Sequence, residues 1–347
     1  MLRDRPKPPV SERLLEVDTK VAAIPDHGAT TVSVELLDGS VRHHFDTDAM
    51  SAQSRFAAGA VSKLFTHALI FRLIDQGKLS YHTPVSSLVA GGSLAGLHVV
   101  GGQDFGADLN VGHLIDQTSG LASWEDARDP ARRTVLEQIV DWDRVIDVDE
   151  QMETSARIGA KFPPGSGQRA HYSDLNAELL AQIAQQVSGQ EFSELVKEVF
   201  LEPLGMTRSS FAVPGQEEYA DIYTSKHPVR LSRYFSSSLG AGGVITTADD
   251  LMTFTRAFFG GQLFSPVHII DPLMRRIQYR PLRYGAGMMS IQHLRTPWSK
   301  ALTLHGHSGV PGSFAFYCPE KQALIAGTIN ALLVSPFDLI ERYLRAL

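Results

Sequence analysis

The sequence predicts an α/β (α+β) fold in which a central antiparallel sheet is flanked by helices and receives a mainly helical insertion. Two observations predict it. Segments with strand character lie near both ends of the chain, at 30–45 and again between 282 and 328, whereas the region from His82 to Val229 reads mainly as helices and loops. We therefore expect residues 1–80 and 235–347 to form the sheet domain and 81–234 a helical subdomain.

The first predicted elements are a helix and a hairpin. Apolar residues recur at helical spacing from Glu12 to Ala23. The segment from Thr30 to Phe45 then alternates β-forming residues around Asp38-Gly39, a pair that is typical of tight hairpin turns. Two antiparallel strands are expected there.

A buried helix is predicted next, because apolar residues follow one face of a 3.6-residue repeat. They are Val61, Leu64, Phe65, Ala68 and Leu69. The helix should end near Gln76-Gly77, since glycine readily adopts the left-handed conformation that closes helices. Ala60 is therefore expected in the first turn of this buried helix.

Later elements follow from the same two periodicities and from capping residues. Thr247 and Asp250 match a capping box that opens a helix before Leu251. The remaining predicted helices are Asn176–Val187, Phe192–Phe200 and Pro336–Leu347, and the remaining predicted strands are Leu282–Ile291, Ser313–Tyr317 and Leu324–Thr328.

Composition excludes several classes of function. The 32 basic and 38 acidic residues give a formal net charge of -6, without the basic excess that nucleic-acid binding requires. The strongest apolar runs, such as Ala323–Ile329, are too short and too interrupted to span a membrane. We therefore expect neither a nucleic-acid nor a membrane partner.

The cysteine content and the start of the sequence predict a cytoplasmic location. A single cysteine, Cys318, cannot form an intramolecular disulfide, which fits a reducing compartment. The basic start from Met1 to Lys7 leads into two prolines and a charged segment rather than the apolar stretch of a secretory signal.

The segment Gly59-Ala60-Val61-Ser62-Lys63 carries the chemistry, even without reference to any family. Residues 60 and 63 lie one helical turn apart, so their side chains share a face. A hydroxyl at 60 could pass its proton to Lys63 if the lysine were neutral. The sequence has alanine there instead, and a methyl group cannot attack or form an acyl bond.

With two later motifs, this segment resembles the serine β-lactamase and penicillin-binding protein family. Ala60 stands where the S-x-x-K signature has serine, and Lys63 is in register. Tyr172-Ser173-Asp174 follows where Tyr-x-Asn is usual, and His307-Ser308-Gly309 where Lys/His-Thr/Ser-Gly is usual. The resemblance extends through Leu114–Leu121, Glu202–Met206 and Leu239–Leu251, and is strongest to class C β-lactamases, DD-carboxypeptidases, D-aminopeptidases and related esterases.

The resemblance implies a β-lactamase/transpeptidase-like fold with the active-site cleft between the two subdomains. It also implies that Tyr172 acts with Lys63 as general base, which requires nearby cations such as Lys63 and His307 to favour the phenolate. His307 and Ser308 would line a strand beside the substrate, and Gly309 would let the substrate approach that strand.

The resemblance further implies that the backbone N–H groups of Ala60 and Val310 form an oxyanion hole. Asp174 departs from the family pattern, because it replaces a neutral amide with a carboxylate. That charge either holds Lys63 or repels an acidic substrate, or the residue merely caps the following helix.

Two other readings of these residues are disfavoured. Ser62 could replace the missing nucleophile, but helix geometry turns it about 100° away from Lys63. His305 and His307 could hold a metal, but no third ligand at a suitable spacing accompanies them. We expect no metal and no cofactor.

Three functional hypotheses follow. The first is a serine hydrolase or acyltransferase that forms an acyl-enzyme with an amide, peptide or ester, inactivated here because Ala60 replaces serine as a variant. The second is a natural non-catalytic binding or sensor protein that uses the same cleft. The third is residual hydrolysis by water activated by Tyr172. The expected partner is a small-molecule substrate, and the oligomeric state stays open.

Overall fold

The computed structural model describes residues 8–24, 29–47, 50–89, 94–225, 227–293 and 301–347. The basic start, Met1 to Lys7, on which the expectation about secretion rests, lies outside the described residues. The helices are α1 (Val10–Ala22), α2 (Ser62–Asp75), α3 (Val111–Ile115), α4 (Val135–Asp141), α5 (Val148–Ile158), α6 (Asp174–Ser188), α7 (Phe192–Val196), α8 (Ser232–Ser237), α9 (Ala248–Phe259) and α10 (Phe337–Ala346).

Strands from both ends of the chain form the main sheet. The strands are β1 (Thr31–Leu36), β2 (Arg42–Asp46), β3 (Phe56–Ala57), β4 (Val99–Val100), β5 (Gln103–Asp104), β6 (Ser210–Phe211), β7 (Val244–Thr246), β8 (Arg275–Arg276), β9 (Arg283–Gly285), β10 (Met288–His293), β11 (Leu302–Ser308), β12 (Ser313–Cys318) and β13 (Ala323–Thr328). The eight-stranded antiparallel sheet has the order β2-β1-β13-β12-β11-β10-β9-β8. This arrangement confirms the predicted fold class.

Each face of the main sheet carries its own hydrophobic layer, because successive strand residues point to opposite faces. Ile325 of β13 packs in the layer that includes Leu14 of α1 and Tyr343 of α10. Its neighbours Leu324 and Ala326 belong to the larger layer, which α2, α6 and α9 share. Helix α2 runs through this larger core and carries Lys63 at its start.

The predicted hairpin is confirmed, whereas several local predictions differ from the structure. The segment predicted as one strand, Leu282–Ile291, forms the two strands β9 and β10. Only half of the predicted capping box forms, because the Asp250 carboxylate accepts hydrogen bonds from the N of Arg208 and the Oγ of Ser209 instead. Thr247 caps α9 by accepting a hydrogen bond from the N–H of Asp250 at 3.2 Å. Ala60 lies in a short 3₁₀ turn, Gly59–Val61, directly before α2 rather than inside the helix. Strand β11 was not predicted from the pattern, because Gly306 and two histidines interrupt its apolar alternation.

Across the described ranges, the structure contains no helix with both the length and the apolar character needed to cross a membrane.

Candidate active site

The turn that carries Ala60 is held against the end of β11. Gly59 has a φ of +49°, a conformation that glycine adopts far more readily than other residues, and an added Cβ would lie only 2.6 Å from Cδ of Pro311. Ala60 follows, half-buried, in the wall of a cavity of about 460 Å³. The position at which the family pattern has its nucleophile therefore faces open space.

Lys63 is completely buried beneath this turn and has three neighbours of different kinds. Its Nζ forms an ion pair with Oδ1 of Asp174 and donates a hydrogen bond to the carbonyl of Ala241 at 3.0 Å. It also lies 5.0 Å from the centroid of the Tyr172 ring, within the range of a cation–π contact. The amine is thus balanced by a carboxylate in the position where the family motif has an amide.

A second carboxyl group, Glu125, completes this charged cluster. Burial alone would raise the pKa of Asp174, but Lys63 and a hydrogen bond from Glu125 hold that pKa below its usual value. Burial and the neighbouring Asp174 raise the pKa of Glu125 well above its usual value, and Tyr234 donates a hydrogen bond to it. The cluster therefore contains one ammonium, one carboxylate and one protonated carboxyl group.

Tyr172 is placed beside the lysine, but its surroundings do not favour the phenolate. Burial is the main cause that raises the pKa of this phenol well above its usual value, and Asp174 and Tyr284 raise it further. Lys63 approaches the face of the ring, which stabilises the cation without requiring the phenol to ionise. The surroundings of Tyr172 therefore do not stabilise the phenolate that a general base at this position requires.

His307 does not supply positive charge either. Its ring centroid is 6.0 Å from that of Tyr172, and its Nδ1 donates to the carbonyl of Ser308 at 2.8 Å. Burial, with a smaller contribution from Lys63, lowers the pKa of His307 to about 3. The imidazole is therefore neutral over the physiological range, and its Nε2 has no hydrogen-bond partner among the described residues.

The end of β11 forms one wall of the cavity through Ser308, Gly309 and Val310. Gly309 packs so closely on the turn that an added Cβ would lie 2.5 Å from the carbonyl oxygen of Ala58 and 3.0 Å from the N of Ala60. Glycine is thus required here for the contact between strand and turn, in addition to any role toward a substrate.

The structure brings the predicted site residues together. Ala60, Tyr172, Asp174, Ser308, Gly309 and Val310 line the same cavity. Lys63 and His307 lie behind its wall and are fully buried. Ser62 points elsewhere, because its Oγ accepts a hydrogen bond from the N of Val244 at 3.0 Å. The described residues contain no group of three or more metal-ligating side chains.

Sequence reasoning missed Glu125, Tyr234 and Ser238, which also line the cavity. Glu125 follows the buried Trp124 in a short 3₁₀ turn, where a single acidic residue resembles any solvated loop residue. Tyr234 and Ser238 lie in and just after the short helix α8, more than 100 residues away from Glu125 along the chain. Only the tertiary fold brings them beside it.

The fold is that of the serine β-lactamase and penicillin-binding protein superfamily. The chain belongs to the Beta-lactamase family, which it matches over residues 17–347. It is 23% identical over 290 residues to penicillin-binding protein 4 of Amycolatopsis lactamdurans, covering 80% of this chain and 69% of that protein. It is 22% identical to the D-alanyl-D-alanine-carboxypeptidase/endopeptidase AmpH of Escherichia coli K12, over 64% of this chain but only 53% of AmpH.

Solved structures share the fold over nearly the whole chain. A D-stereospecific amidohydrolase from Streptomyces superposes with a TM-score of 0.74 at 21% identity, covering 96% of this chain and 98% of that one. D-amino acid amidase from Ochrobactrum anthropi, in complex with L-phenylalanine amide, superposes with a TM-score of 0.77 at 17% identity, covering 97% and 98%. At these identities the likeness establishes the fold.

Proposed function

We propose that the cleft is built for the acyl chemistry of a serine hydrolase or acyltransferase on an amide, peptide or ester, and that Ala60 removes its nucleophile. The observation that carries this proposal is the position of Ala60, at the cavity wall in the turn that leads directly into the helix of Lys63. A serine hydroxyl there would stand at the start of a helix, where developing negative charge is stabilised.

Amides and peptides are the proposed substrates. His307 stands where the family pattern has lysine or histidine, and it is neutral, so the strand beside the cavity offers no cation for the carboxylate of a β-lactam. AmpH and D-amino acid amidase act, by their names, on peptide and amide bonds. The proposed cleft lies between the sheet domain (1–80 and 235–347) and the helical subdomain (81–234), since residues from both segments line the cavity.

A natural binding or sensor protein is the second candidate, and the Lys63–Asp174 ion pair favours it. The Asp174 carboxylate adds a negative charge beside Lys63 at a position where the family pattern has a neutral amide. Both Ala60 and Asp174 differ from the family pattern within one cluster of residues. Two such differences are consistent with a cleft that binds a ligand without catalysing a reaction. An engineered Ser-to-Ala change would explain only the first.

Restoring the hydroxyl tests both candidates. We expect the Ala60→Ser/Asp174→Asn double variant to be labelled covalently by a fluorophosphonate probe, with the added mass on residue 60 in peptide mass spectrometry. The chain with Ala60 is the matched control and should stay unlabelled. Adding Tyr172→Phe to the double variant should slow labelling, because Asp174→Asn removes a charge that disfavours ionisation of that phenol.

The single variant Ala60→Ser separates the candidates. Labelling of this variant at a rate similar to that of the double variant would support an inactivated enzyme. Labelling only when Asp174 is also changed would support a natural binding protein. If both variants fold, as judged by circular dichroism, and neither is labelled, the proposed acyl chemistry is contradicted.

A further inference from the structure

The charged residues that line the cavity are all acidic within the part of the chain that the structure describes. They are Glu125, Asp126 and Asp174. Lys63 lies behind the wall, where its charge is matched by Asp174. An anionic ligand would therefore be repelled by the carboxyl groups of this cavity, because no cation lines the cavity among the described residues. A cationic ligand would be attracted by the same groups.

Aromatic rings surround these carboxyl groups. Tyr172, Tyr234, Phe235, Tyr279 and Phe337 all line the cavity. The ring of Tyr172 is 6.0 Å from that of Tyr279, and the ring of Tyr234 is 5.3 Å from that of Phe235. Aromatic faces attract ammonium groups through their quadrupoles, and they do so most strongly where water is excluded.

Ser238 gives an independent indication of a ligand. It lines the same cavity and is only 4% exposed, yet its Oγ has no hydrogen-bond partner among the described residues. A buried hydroxyl without a partner is unfavourable for folding, so such groups usually serve a ligand or a bound water. The hydroxyl can accept a hydrogen bond from an ammonium N–H.

We infer that Glu125, Tyr234 and Ser238 form a subsite for the ammonium group of an amine-bearing ligand. The inference rests on the proposed function, because it assigns part of the ligand that the cleft would hold. The ammonium would bond to the Glu125 carboxylate, which Tyr234 positions through its hydrogen bond, and to Ser238. The proposed substrates are therefore amides or peptides with a free amino group. Ligands that place a carboxylate in this subsite are excluded.

Charge balance supports this assignment. Burial and Asp174 raise the pKa of Glu125 and so favour its protonated form, while the charges of Lys63 and Asp174 balance each other. An incoming ammonium would supply the positive charge that lets Glu125 ionise. Binding of an amine should therefore release about one proton to the buffer, as linkage between charge and binding requires.

Three ligands that share a phenethyl group but differ in charge test the subsite. Titration calorimetry should find that phenethylamine binds at least about tenfold more tightly than N-acetylphenethylamine, and 3-phenylpropionate most weakly, since hydrogen bonds to charged groups are the strong ones. Titrations of the amine in phosphate and HEPES buffers, which differ in ionisation enthalpy and contain no primary amine, should reveal the released proton.

Variants locate the effect. Glu125→Gln should weaken phenethylamine binding about tenfold or more and abolish proton release, with little change for the neutral ligand. Ser238→Ala should weaken the amine without lowering the melting temperature, because the lost hydroxyl has no protein partner among the described residues. Glu218→Gln, at a side chain that is 84% exposed, is the matched control and should change nothing.

Three results would be decisive against the inference, and they are distinguishable from failure of the proposed function. Equal affinity for amine and acetylated amine, or unchanged amine affinity in Glu125→Gln, would overturn the ammonium subsite while leaving acylation of the two variants that carry Ala60→Ser possible. Absence of binding by all three ligands would also overturn it. Failure of the proposed acyl chemistry is measured separately, as the absence of fluorophosphonate labelling at residue 60.

Discussion

At the scale of single residues, Lys63 and Asp174 neutralise each other's charge in the protein interior. Lys63 is fully buried and the Asp174 side chain is 9% exposed. We expect Asp174→Ala to lower the free energy of unfolding by about 3–5 kcal/mol, because removing one partner leaves an uncompensated buried charge. Urea unfolding monitored by circular dichroism measures this loss.

The control for this variant is Asp149→Ala, which removes an exposed aspartate from the first turn of α5. It should cost no more than about 1 kcal/mol, the usual magnitude of a helix-dipole contribution. A loss of similar size in both variants would mean that the Lys63–Asp174 pair contributes little to stability.

The sequence predicted which residues meet at the cleft, but not their charge states. The helical spacing of residues 60 and 63 and the order of the later motifs were enough to bring Tyr172 and His307 to one place. The role of Asp174 was left open because the sequence could not show that Glu125 lies beside it. A pKa depends on burial and on neighbours from distant loops, and no local pattern encodes either.

At the scale of elements, the contact between β11 and the turn at 59–61 shapes the cavity. Gly309→Ala should lower the free energy of unfolding by about 1–3 kcal/mol, because the added methyl group would overlap the backbone of Ala58 and force the strand from the turn. Ligand binding should weaken as well, since both elements line the cleft. Thermal and urea unfolding check the first effect.

Gly242→Ala provides a comparison at the same cavity. An added Cβ there would meet its nearest atom, in Ser238, at 3.7 Å, which is an ordinary contact. We expect little change in stability from this variant. Equal losses in both variants would argue against the close approach of β11 as the reason for glycine at 309.

Local elements were predicted best where one periodicity dominates. The hairpin of β1 and β2 and the helix α2 follow clean repeats, and the structure has both. The residue pattern did not predict strand β11, which was expected only from the family resemblance, because Gly306, with a φ of +150°, packs against the backbone of β12 and contributes no side chain to the pattern. The 3₁₀ turn at Ala60 likewise packs against a distant residue, because Gly59 lies close to Pro311, about 250 residues away along the chain.

At the scale of the whole molecule, Glu178 makes stability depend on pH. Burial raises the pKa of this carboxyl from 4.5 to about 8, although the N–H groups of Ala241 and Gly240 oppose the shift. Between these values the unfolded chain has lost the proton that the folded chain retains. The contribution of Glu178 to stability should therefore decrease as pH rises from about 5 to 8, by up to about 1.4 kcal/mol per pH unit.

The variant Glu178→Gln cannot titrate, so its stability relative to the native chain should improve steadily over that pH interval. Urea unfolding at pH 5, 6.5 and 8 measures the trend, which is independent of any constant difference in packing. Glu153→Gln, at an exposed position of α5, should run parallel to the native chain. If the stability of Glu178→Gln instead changes with pH in parallel with that of the native chain, the Glu178 carboxyl ionises as readily in the folded protein as in the unfolded one.

The pairing of β1 with β13 also bears on how the protein is made. Val32 lies opposite Gly327 in the register, so the first hairpin has its proper neighbour only after the segment between them, about 290 residues long, has left the ribosome. Until then one edge of β1 remains open to strands of other nascent chains. Biosynthesis of this protein should accordingly depend on chaperones that shield early segments during translation.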